Sequence, residues 1–129
     1  MEIALRSALI AWLQSDPLLS AQLNAVVEEA PQRTALPWLA IAASASADWS
    51  VKDRTGREVR AALELHCRGD KPDSAATLVA AIEARITSFP AAQAGFEVVT
   101  AQFLRARAEA RAGNTRAVLL EYRFRLFSD

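Results

Sequence analysis

The sequence predicts an α+β fold in which an antiparallel sheet of roughly four strands carries two main helices on one face, in the order α, short α, β, β, α, β, β. Three observations carry this reading. Apolar residues recur at helical spacing near the start of the chain and again past its middle, later stretches alternate apolar with charged residues, and glycine or proline marks the joints between them.

Between Glu2 and Gln14, Leu5, Leu9, Trp12 and Leu13 form an apolar stripe that Ile3 and Ile10 widen, with Glu2, Arg6, Ser7 and Gln14 opposite. Asp16-Pro17 then starts a short second helix, because Asp caps well and Pro suits the first helical position; Asn24 ends it after Leu23. Pro31 and Pro37 bracket a polar loop that leads into a first strand, Trp38-Leu39-Ala40-Ile41. On this reading Trp12 and Trp38 both face the core.

After Asp48-Trp49-Ser50, the run Lys52 to Gly56 is too polar to bury and is expected at a hairpin tip. The next strand alternates. Val59, Ala61, Leu63, Leu65 and Cys67 share one face and Arg60, Glu64, His66 and Arg68 the other, until Gly69. Pro72-Asp73-Ser74 opens a long helix in which Leu78, Ile82, Ile86 and Phe89 make the buried face, before Pro90. Phe96 to Phe103 and Thr115 to Phe127 then read as strands, with Gly113-Asn114 as the turn between them. Residues 105–112 pose a conflict: their Ala, Arg and Glu content favours helix while their position favours a hairpin arm, and the hairpin arm is preferred.

At 129 residues the chain fits one domain, 1–129, with 52% hydrophobic residues for a core and 23% charged residues for solubility. The formal net charge is zero, so there is no long-range attraction to nucleic acid or membrane. The distribution is uneven, however. Residues 1–30 carry a charge of −3 and residues 101–129 a charge of +3, so opposite ends could attract between subunits. Met1-Glu2 lacks the basic start of a signal peptide, and no apolar run nears the roughly 20 residues that span a bilayer. A cytoplasmic protein without membrane contact is expected.

Little in the chain points to chemistry. His66 is the only histidine and Cys67 the only cysteine, and as adjacent strand residues they point to opposite faces, which separates a nucleophile from its base. One His and one Cys cannot supply a metal's three or four ligands, and the four glycines sit at joints instead of forming a phosphate loop. Neither metal nor cofactor is expected. The acid pairs Glu28-Glu29 and Asp70 with Asp73 read as loop and capping groups.

The thirteen arginines against two lysines leave two readings open: a basic surface toward DNA or an acidic partner, or a solvated sheet face diluted by Glu64 and Glu121. Trp49, beside the charged tip, is either an interface anchor or a ring folded back over the sheet edge. Residues expected at a subunit or partner interface are Trp49, Lys52, Asp53 and Arg54 around the tip, with Arg123 and Arg125 on the last strand.

Taken in succession, several stretches resemble the tail terminator, or tail-completion, proteins of long-tailed phages, prophages and gene transfer agents. They are Leu5 to Leu23, Pro37 to Ile41, Asp48-Trp49-Ser50 leading to Glu58, Ala61 to Arg68, Leu78 to Ile86, and Tyr122-Arg123-Phe124-Arg125-Leu126. The resemblance implies a structural protein and not an enzyme. It implies a homohexameric ring that caps the tail tube, halts polymerisation of the major tail tube protein and meets the head connector, with DNA passing through without sequence-specific binding. Such a protein would assemble in the host cytoplasm and end in the virion or particle tail. The alternatives are a head-side closure or adaptor protein, or a small-molecule-binding α+β module.

Overall fold

A computed structural model describes residues 1–29, 33–69 and 72–129, with elements α1 (Glu2–Gln14), α2 (Pro17–Gln22), β1 (Ala25–Val27), β2 (Trp38–Asp48), β3 (Gly56–Arg68), α3 (Pro72–Thr87), β4 (Ala92–Gln93), β5 (Phe96–Arg111) and β6 (Thr115–Ser128). Pro31 and Gln32 of the expected loop, and the acid Asp70, lie outside the described residues.

The fold class is α+β, but the sheet has six strands among the described residues, not about four, in the order β1-β2-β3-β6-β5-β4. The two extra strands sit at the edges and span three and two residues, too short to show a period in sequence. β1 pairs in parallel with Trp38 to Ala40, and the other neighbours pair antiparallel.

β2 runs on from Ile41 to Asp48, although Ala42 to Ala47 carry no strand pattern. Pairing with β3 from Ala62 to Arg57 holds them extended, past a bulge at Ala42. The conflict at 105–112 resolves toward the sheet as far as Arg111: residues 105–111 pair with β6 from Glu121 back to Thr115, so a full ladder overrides helix propensity. Gly113 and Asn114 make the turn with φ of 72° and 56°, a region that Gly and Asn tolerate.

Asp16 caps α2 by accepting from the Leu19 amide at 3.4 Å, and Pro17 opens the helix. All three helices bury their apolar side against one sheet face. Leu5, Leu9 and Leu13 of α1, Leu19 of α2, and Leu78, Ile82 and Ile86 of α3 meet Leu39, Ile41, Val59, Leu63, Leu65, Leu120, Phe124 and Leu126. Each such leucine or isoleucine contributes about 1.5–3 kcal/mol by leaving water, so this one interface dominates the fold's stability.

Two tryptophans depart from expectation. Trp12 lies half-buried at the seam of α1 and α3, where Arg85 claims its ring. Trp38 is buried, but it pairs with His66 and therefore sits on the face away from the helices, stacked on the imidazole at 4.1 Å. Strand parity explains the second case, since Leu39 and Ile41 take the core positions.

A candidate assembly surface

The sheet face without helices is built by alternation. On β3 it shows Glu58, Arg60, Ala62, Glu64 and His66; on β6, Glu121, Arg123, Arg125 and Phe127; on β5, Gln102, Arg105, Arg107, Glu109 and Arg111. Opposite charges pair both across the strands and along β5. Arg125 Nε lies 3.2 Å from Glu58, Arg111 lies 3.6 Å from Glu64 and 3.1 Å from Glu109, Arg107 lies 3.5 Å from Glu109, and Arg105 pairs with Glu121. The hydrogen bond from Arg105 holds the Glu121 carboxyl below its ordinary range and raises the guanidinium. Exposed pairs of this kind are weakened by solvent screening, so they order the face more than they stabilise the fold. The face is a lattice of both signs and not a uniform basic patch.

One corner is more elaborate. At the turn from β2 to β3, the Trp49 amide donates to the Gly56 carbonyl at 2.9 Å, while the Ser50 hydroxyl donates to Asp48 at 2.6 Å and accepts the Gly56 amide at 3.0 Å. These bonds fold Trp49 back over the sheet, stacked on Phe127 at 4.9 Å, with the Arg125 guanidinium 5.4 Å from its ring. Arg54 covers Phe127 at 4.5 Å and lies 3.7 Å from Glu97.

Of the six residues marked by sequence, the corner therefore unites Trp49, Arg54 and Arg125. Lys52 and Asp53 stand exposed on the tip, and Arg123 lies along the same face beside Gln102, to which it donates. Its Nε is buried without a hydrogen-bond partner among the described residues.

Cys67 and His66 point to opposite faces, as alternation predicts. The thiol is buried, contacts the Arg116 carbonyl at 3.8 Å and is pushed up in pKa by desolvation; the imidazole is held between Trp38 and Glu64. Among the described residues no three His, Cys, Asp or Glu side chains gather as metal ligands. No described helix is long and apolar enough to cross a membrane. An open groove of about 560 Å³ crosses the face between Ala43, Ala45, Ala62, Leu104 and the Arg105–Glu121 pair.

Sequence reasoning missed a second surface. On the helix side, cover stops at Val98: Ala101, Phe103, Ala106 and Ala108 of β5 are exposed there, Phe103 by 46%, with its edge against Tyr122 at 5.6 Å. The signal was present, since Phe103 is the one large apolar residue among them on that side and no helical stripe remained to cover it.

Fold and surface together define an α+β protein whose exposed features are charge, strand edges and a few aromatic rings. A family model described as tail completion protein gp17 matches residues 7–126. The chain belongs to that family and is thereby a structural protein of a phage-type tail. Among solved structures, a chain from the "Virion of native gene transfer agent (GTA) particle" has the same fold, with a TM-score of 0.79 and 22% identity over 96% of this chain and 95% of that one. No curated protein sequence matches.

Proposed function

We propose that this protein is a tail terminator: a single-domain subunit of a homohexameric ring that caps the tail tube, stops polymerisation of the major tail tube protein and joins the tube to the head connector. The observation that carries this reading is that one sheet ends in two edges left open among the described residues, β2 from Ile41 to Asp48 and β5 from Val99 to Arg111. A monomer with open edges at opposite ends associates head to tail, and such contacts close into a ring when the rotation fits.

Trp49, Lys52, Asp53 and Arg54 at the hairpin corner, with Arg123 and Arg125 beside them, serve as the contact region for the tube or the connector. The mixed-sign face suits DNA passage without sequence-specific grip, because neighbouring glutamates neutralise most arginines. Assembly takes place in the host cytoplasm and the ring remains in the particle. Native mass spectrometry of the purified chain, alone and with tail tube protein, tests this. A discrete ring mass and shortened tube polymers are expected, and a chain that stays monomeric in both mixtures refutes it.

A further inference from the structure

We infer that residues 105–109 of β5 pair antiparallel with residues 43–47 of β2 in a neighbouring copy, so that the ring's subunits share one continuous sheet. The inference rests on the ring reading above and names its contact. Both edges are interrupted by bulges, at Val99 and Leu104 in β5 and at Ala42 in β2, and beyond them each edge keeps one regular stretch. Those stretches are 105–111 and 43–48, nearly equal in length. Bulges twist an edge away from a partner, so regular pairing is confined to what lies past them.

Direction follows from topology. β2 is antiparallel to β3, and β3 to β6, so β2 runs with β6 and against β5. A copy rotated about an axis along the strands keeps its direction and presents β2 antiparallel to β5.

Side-chain size and charge select the occupant. On the helix-free face β5 offers the long arginines Arg105 and Arg107, and β2 offers only Ala43, Ala45 and Ala47, which leave room for them. Matching face to face sets Arg107 beside Ala45 and Arg105 beside Ala47, and on the other side Ala106 beside Ser46 and Ala108 beside Ser44. The open β5 edge carries three arginines and one glutamate, whereas the β2 side carries Asp48, Glu2 and Glu28 against Arg6 and Arg57, the latter donating to Ser46. Glu2 and Arg6 both hydrogen-bond Ser44, which pins the start of α1 over β2. In the pair that helix start, with Ile3 exposed by 77%, lies over the uncovered side of the neighbour's β5. A second copy of this chain therefore supplies the ladder, the acidic charge and the apolar cover that β5 lacks.

The test is a cysteine pair, Ala45→Cys with Arg107→Cys, oxidised after assembly; Cys67 stays buried and silent. The double variant is expected to give a covalent ladder ending at the ring mass, each single variant no ladder, and the mispaired Glu83→Cys with Arg107→Cys none either. Hydrogen exchange on the unmodified protein is the second measurement, with slowed exchange within 43–47 and 105–109 expected on ring formation. A ring of full mass without that ladder or that slowing overturns the strand pairing and leaves the ring reading standing. A chain that never forms a ring overturns both.

Discussion

The indole N–H of Trp12 donates to the Arg85 carbonyl at 2.7 Å, and Arg85 Nε donates back to the Trp12 carbonyl at 2.9 Å, with the guanidinium carbon 3.5 Å from the indole centroid. This reciprocal clasp ties the end of α1 to the end of α3, and a third bond reaches Ser15 at 2.7 Å. Arg85→Ala removes the cation–π contact and both guanidinium bonds. A loss of about 1–3 kcal/mol is expected in urea unfolding, with Arg85→Lys intermediate because an ammonium cannot reproduce the planar fork.

Gly56 is held where no side chain fits. A Cβ there would lie about 3.0 Å from the Trp49 carbonyl carbon and 3.1 Å from the Leu126 carbonyl oxygen, both backbone atoms that cannot swing aside. Gly56→Ala is expected to cost roughly 1–3 kcal/mol, as overpacking does, and to weaken the Trp49–Phe127 stack. Equilibrium unfolding and tryptophan fluorescence would check the two effects separately.

Tyr122 is the only tyrosine, and burial pushes its phenol from 10.0 up to about 12. A raised folded pKa for an acid means that the folded state favours the neutral phenol. The stability this contributes is fully present below pH 10.0 and is lost as pH rises toward about 12. Tyrosinate absorbance should therefore titrate near 12 in the native protein and near 10 in urea. Tyr122→Phe should flatten the alkaline limb of the stability curve, and a native midpoint near 10 would contradict the assignment.

Cys67 combines burial with a thiol pKa raised by desolvation. Thiolate is the reactive species, so alkylation in native buffer should be slower by orders of magnitude than in denaturant. Labelling rates read by mass spectrometry decide this, and rapid native labelling would reopen a nucleophilic role.

The hairpin corner separates folding from contact. Lys52→Glu and Asp53→Lys, both at the exposed tip, should change stability by no more than about 0.5 kcal/mol. Trp49→Ala, which loses its stack on Phe127 and its neighbour Arg125, should cost about 1–2 kcal/mol. Tail-joining yield should fall for the tip charge reversals even though their melting curves match the parent.

Much of the fold was legible because its helices and two of its strands repeat cleanly. Leu5, Leu9 and Leu13 announce α1, and the Val59 to Cys67 alternation announces β3 with its faces assigned correctly. Ala42 to Ala47 were illegible, since Ala and Ser prefer neither face and only the ladder to β3 extends them. At residues 105–111 composition argued for helix and position for the hairpin arm, and the arm forms, because propensity is a local preference while pairing with β6 is decided elsewhere in the chain. In the site, the clustering of Trp49 with Arg54 and Arg125 followed from one turn and one strand. The gap over Phe103 was hidden, because it depends on where the helices stop laterally, which no periodicity encodes.

β5 is held along most of its length by a single ladder, that to β6, and Phe103 leans from it against the ring of Tyr122. Whenever β5 peels outward, hydroxide gains a path to the lone phenol. Stopped-flow alkaline jumps would thus read the opening of that strand from within the hydrophobic layer. A subunit clipped by its neighbour should ionise more slowly than one standing alone, giving assembly a spectroscopic signature that needs no label.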